Sequence, residues 1–142
     1  MRTSSKKENN AVKGEIPVAL AQFLHGELDP ALFHHADHVR TAFEILQRHE
    51  FIVAAQAYSN GLKVLARKAG RPEAYHETMT LAFLSLIAER MVGGPFEDFE
   101  AFAAANPELM QKAALERWYE PERLHSDLAR KSFLLPGPRP VS

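Results

Sequence analysis

Apolar residues return along this chain at intervals of three and four, the spacing that lines one face of a helix. No stretch of five or more residues alternates between apolar and polar as a half-buried strand would. The clearest case runs from 34 to 48, where Val39, Ala42, Phe43 and Leu46 form one stripe and Arg40, Glu44 and Gln47 are predicted to face water. A second helix is predicted over 51–69 from Phe51, Ala54, Ala55, Tyr58, Leu62 and Leu65, with a kink or break at Asn60-Gly61. Pro17 and Asp29-Pro30 are start signals, the first for a short helix through Leu24 that Gly26 ends, the second for the segment that leads into 34–48.

Gly70 is a C-terminal stop. Pro72 then opens a helix through Met79, Phe83, Leu86 and Ile87 to about Met91, which Gly93-Gly94-Pro95 ends. Shorter helical pieces follow at 96–105, 107–119 and from Ser126 to about Phe133, wrapped around a central pair. The row Phe96, Phe99 and Phe102 reads as core, and Trp118-Tyr119 as a side closure. The fold class predicted is all-α, a single bundle of five to seven helices over 15–135. A polar tail at 1–14 precedes it, and a tail at 136–142 follows, where three prolines lack the amide donor.

Composition narrows the chemistry. With 142 residues, 46% of them hydrophobic and 25% charged, the chain has material for one core and not for two. A formal net charge of −1 supplies no field toward phosphate backbones or anionic lipid, so neither nucleic acid nor membrane is an expected partner. The absence of cysteine removes disulfides, thiolate nucleophiles and sulfur-ligated metals. The polar start and the lack of a long apolar run point to the cytoplasm. No phosphate-cradling glycine loop, G-x-S-x-G elbow, H-E-x-x-H or basic helix-turn-helix is found.

The histidines carry the remaining signal. At about 100° per residue His35 falls within the stripe of Val39, Phe43 and Leu46, His38 lies at its edge, and His34 and Asp37 sit on the far side. His76, two turns before Phe83 on the helix opened by Pro72, shares the inward stripe there, with Thr80 beside it. If the two helices pack together, His35, His38 and His76 converge as candidate ligands for zinc or iron, with a position open for water or substrate. Glu77 and Asp37 are then candidate general bases, and Arg40, Tyr75 and Thr80 candidate substrate contacts. The alternative assigns each ring a hydrogen bond to a neighbouring carbonyl, hydroxyl or carboxylate. His25, His49 and His125, at element ends, are expected at the surface.

The motifs Phe33-x-His35-x-x-His38-x-Arg40 and Tyr75-His76-Glu77-Thr78-x-Thr80, followed by Arg117-Trp118-Tyr119, resemble those of an uncharacterised bacterial family of small helical proteins. The likeness spans about residues 28 to 136. It marks His35, His38, Arg40, Tyr75, His76, Glu77 and Thr80 as matching positions and implies no particular reaction. Phe43 and Met79 stand where that family more often has Trp and Ile. Two functions emerge as expectations: a metal-dependent enzyme, hydrolase or oxygenase, acting on a small-molecule substrate, or a non-catalytic ligand-binding or adaptor module with a buried histidine network. Metal storage or sensing is a third.

Overall fold

Proline and glycine set several helix limits where the sequence predicts them. The computed structural model describes residues 15–140, so the expected tail at 1–14 lies outside it. Helix α1 spans Val18–Leu24 after Pro17. Gly26 closes it at φ +70, a left-handed conformation free of Cβ strain only for glycine, and the Glu27 amide donates to the Gln22 carbonyl at 2.8 Å. Helices α2 (His35–Leu46), α3 (Phe51–Lys68) and α4 (Glu77–Met91) follow. Beyond them come the shorter α5 (Phe99–Ala105), α6 (Pro121–Leu124) and α7 (Asp127–Lys131). No strand occurs among the described residues, and the fold is all-α as predicted.

At Pro30, Pro72 and Pro107, unlike Pro17, the proline expected to open an α-helix opens a 3-10 turn. Pro30–Leu32 is one such turn, with the Asp29 carboxylate accepting from the Ala31 amide at 3.0 Å, and Pro72–Ala74 is another. The segment predicted as one helix over 107–119 divides into 3-10 stretches Pro107–Met110 and Lys112–Arg117. The short α6 has no counterpart in the sequence-based expectation.

Asn60-Gly61 neither kinks nor breaks α3, which runs through it. Gly61 is buried, and a Cβ there would overlap the Phe23 ring of α1. The missing side chain is therefore the seat of a buried ring, and packing outweighs the roughly 1 kcal/mol by which glycine disfavours a helix interior.

Helices α2, α3 and α4 pack pairwise around one core, a central trio rather than the expected pair. Val39, Phe43 and Ile45 meet Ala54, Tyr58 and Leu65 from α3 and Leu84 and Ile87 from α4. Phe102 closes that core, 4.8 Å from Phe43 and 5.2 Å from Phe96 between ring centroids; of the phenylalanine row it alone is fully buried, and Phe96 and Phe99 are half-buried against it. Glu44 departs from expectation. It is buried and not turned to water, because Arg40 Nε donates to its carboxylate at 3.0 Å. Of the predicted closure, Tyr119 is buried and Trp118 is exposed.

The C-terminal segment is strapped onto this frame. Thr78, fully buried in the first turn of α4, donates its hydroxyl to the Ser132 carbonyl at 2.7 Å and accepts the Leu134 amide at 3.0 Å. Tyr119 donates to the Leu134 carbonyl at 2.8 Å, and Arg123 Nε to that of Leu135 at 2.8 Å. Helix α7, which ends where the strap begins, is thereby pressed against α4.

Candidate functional site

The three candidate metal ligands divide between separate environments. His35 is half-buried, with its ring edge-on to Phe83 of α4 at 5.4 Å, and its Nε2 donates to the Leu109 carbonyl at 3.1 Å. His38, one turn on, lies against the Phe33 ring at 4.5 Å. Burial, and then the neighbouring His35, hold the His38 imidazole down at about 4, so it is neutral near pH 7.

His76 is elsewhere. Since Pro72 opens a 3-10 turn and α4 begins only at Glu77, His76 stands before the helix as its N-cap, at φ −132 and ψ 111. The two-turn spacing to Phe83 therefore does not set its direction. Its Nδ1 accepts the Met79 amide at 3.0 Å, one of the unpaired donors of the first helical turn, and its Nε2 donates to the Leu124 carbonyl of α6 at 2.7 Å. Those two bonds fix a neutral ring with its proton on Nε2. Burial, foremost, lowers its pKa from the ordinary histidine value, with Arg130 and His125 acting in the same sense.

A metal binds imidazole through an unprotonated ring nitrogen. At His76 the lone pair of Nδ1 already takes an amide proton and Nε2 carries its own, so neither nitrogen is open without breaking a hydrogen bond. Among the described residues no group of three or more His, Cys, Asp or Glu side chains is arranged to hold a metal ion. The residues present do not fit the three-histidine centre that helical phasing suggests; the rings of His35 and His76 are bonded to backbone carbonyls, as the alternative expects, and the His38 ring packs against Phe33.

The other candidates sort by role. Asp37 accepts the His34 amide at 2.9 Å, which caps α2. Arg40 pairs with Glu44 and, at 3.2 Å, with Glu100, and lies 5.5 Å from the centre of the Phe99 ring. Neither points to a shared site with Glu77.

Tyr75, Glu77 and Thr80 do come together. The Tyr75 hydroxyl donates to Glu77 Oε1 at 2.7 Å. Burial, then this bond, push the Tyr75 phenol well above its ordinary value, with Thr80 and Ser59 hydroxyls also in reach. Lys63 of α3 places its ammonium 5.1 Å over the Tyr75 ring, a cation–π distance.

Lys63, Tyr75 and Glu77 belong to a cleft of about 360 Å³ that is also lined by Pro72, Glu73, Arg130 and Lys131, whereas Thr80 is buried behind it and does not line it. Arg130 ties its two walls together by donating to the Glu73 carbonyl at 3.2 Å. Sequence reasoning found Tyr75 and Glu77 but missed Lys63, Arg130 and Lys131. They come from two separate helices, share no motif, and read individually as solvated surface charges.

No helix among the described residues is long and apolar enough to cross a membrane. No family model, curated protein or solved structure matches the chain.

Proposed function

We propose that this chain is a non-catalytic helical module that binds a small molecule in the cleft between α3, the Pro72–Ala74 turn, the start of α4, and α7. The observation that carries this reading is the convergence of Lys63, Tyr75, Glu77, Arg130 and Lys131 on one concavity whose volume falls in the usual range for small-ligand sites, about 300 to 1,000 Å³. The histidines then serve the fold. His76 caps α4 and anchors α6, and His35 holds the Leu109 turn against α2.

A metal-dependent hydrolase or oxygenase would require His76 to surrender one of its two hydrogen bonds, the Met79 amide at Nδ1 or the buried Leu124 carbonyl at Nε2, before it offered a lone pair, which supports the binding module over the enzyme. Screening the nitrogen-15-labelled full chain against neutral, cationic and anionic fragments by amide correlation spectra tests the reading. Fragments are expected to shift the amides of Lys63, Tyr75, Glu77 and Arg130 together and saturably. Fragment shifts that centre instead on His35 and His38, or no saturable shift from any fragment, would overturn it.

A further inference from the structure

We infer that the ligand of this cleft is a small organic anion, a carboxylate or a phosphate ester, gripped by Lys63, Arg130 and Lys131 with its body laid over Tyr75 and Pro72. The inference rests on the cleft being the binding site and adds the ligand's charge and the groups that read it.

Charge is the first ground. Three cations and two carboxylates line the cleft, which leaves one positive charge in excess, and Glu77 already accepts the Tyr75 hydroxyl. Among the described residues Lys63, Arg130 and Lys131 form no ion pair with a carboxylate. Lys63 rests over an aromatic face, and Arg130 gives one N–H to a backbone carbonyl, so both keep donors to offer. An anionic ligand would offset that excess.

Rigidity is the second ground. Arg130 and Lys131 belong to a helix of only five residues, yet its frame is tightly held. Ser126 caps it by accepting the Ala129 amide at 3.1 Å, Ala129 is fully buried, and the Thr78 hydroxyl grips the chain on either side of Phe133. Cations on a fixed backbone lose less freedom on binding than cations on a mobile loop. The third ground is shape. Pro72 and the Tyr75 ring offer apolar surface beside the charges, suited to a ligand with a short apolar body. An extended polyanion fits poorly, since the cleft is small and the chain as a whole carries a net charge of −1.

The test uses the full chain and four probes: benzoate, inorganic phosphate, benzyl alcohol and benzylamine, each titrated by amide correlation spectra. Benzoate or phosphate is expected to move the Tyr75, Glu77 and Arg130 amides saturably. The affinity should fall about three- to tenfold in each of Lys63→Gln and Lys131→Gln, as for loss of one charge-assisted contact. The unfolding midpoint should be unchanged in Lys131→Gln, whose side chain is exposed, and lowered in Lys63→Gln only by the loss of its exposed contact with the Tyr75 ring. Raising the salt from roughly 0.01 M to roughly 0.15 M, which shortens the screening length from about 30 Å to about 8 Å, should also weaken binding. If benzyl alcohol or benzylamine saturates the cleft and neither anion does, the charge assignment is overturned while the cleft stands as a site. Anion binding that both variants leave undiminished also overturns the assignment, and if none of the four probes binds, both readings fall.

Discussion

Replacing His76 separates a structural ring from a metal ligand. In His76→Ala the Met79 amide loses its cap, worth about 1 kcal/mol, and the buried Leu124 carbonyl loses its 2.7 Å donor, an unsatisfied acceptor that costs roughly 1 to 3 kcal/mol. The expected loss is therefore about 2 to 4 kcal/mol, in the range of a buried network broken at one member. His76→Asn keeps a good capping oxygen but is too short for the Leu124 carbonyl, so it should recover about 1 kcal/mol relative to alanine. Urea unfolding followed by far-ultraviolet circular dichroism, on metal-free and zinc-supplemented protein, reads both numbers. A loss in His76→Ala below about 0.5 kcal/mol, within the range of ordinary surface substitutions, would refute the reasoning. So would a loss seen only with zinc present.

The remaining predictions concern acid sensitivity and packing. His38 is held at about 4 when folded and titrates near 6.5 when unfolded. The unfolded chain therefore binds the extra proton between those values, and stability is flat above about pH 6.5 and falls by roughly 3 kcal/mol as the pH drops to about 4. His76, also lowered, adds to the slope in the same direction. Urea unfolding at several pH values should show this slope, and His38→Leu should remove its larger part. Gly61→Ala should destabilise by about 1 to 3 kcal/mol through overlap with Phe23, and Phe23→Leu in the same chain should recover part of that by making room. Thr78→Val, nearly the same in shape, should cost about 1 to 3 kcal/mol by leaving the Ser132 carbonyl and Leu134 amide unpartnered. Amide hydrogen exchange at Leu134 should rise with it.

The long amphipathic helices were legible because their stripes are unambiguous. Val39, Ala42 and Phe43 are buried as phased, and so are Ala54, Tyr58 and Leu65. Phasing failed for His76, where the helix began later than its proline suggested. At Pro72 the delay of five residues turned His76 from a member of an inward stripe into a cap, and the three-ring convergence went with it. A 3-10 turn and the first turn of an α-helix share the same proline signal, and only the packing of the downstream residues decides between them. Two further features leave no trace in residue patterns. The partners of His35 and His76 are the backbone carbonyls of Leu109 and Leu124, which every residue possesses. The cationic side of the cleft is assembled from Lys63 and from Arg130 and Lys131, far apart along the chain and joined only by the docking of α7. Glu44 was misplaced for a related reason, since its burial depends on Arg40 supplying a charge-assisted bond.

The ring nitrogens of His76 test the division of labour between histidines and cleft most directly. Long-range proton–nitrogen correlation on the labelled full chain, before and after zinc is added, reads their protonation. A structural His76 predicts a neutral ring with its proton on Nε2, unmoved by zinc while the histidine N-cap persists. Zinc that shifts the ring nitrogens of His35, His38 and His76 together, at one stoichiometric equivalent, would contradict it.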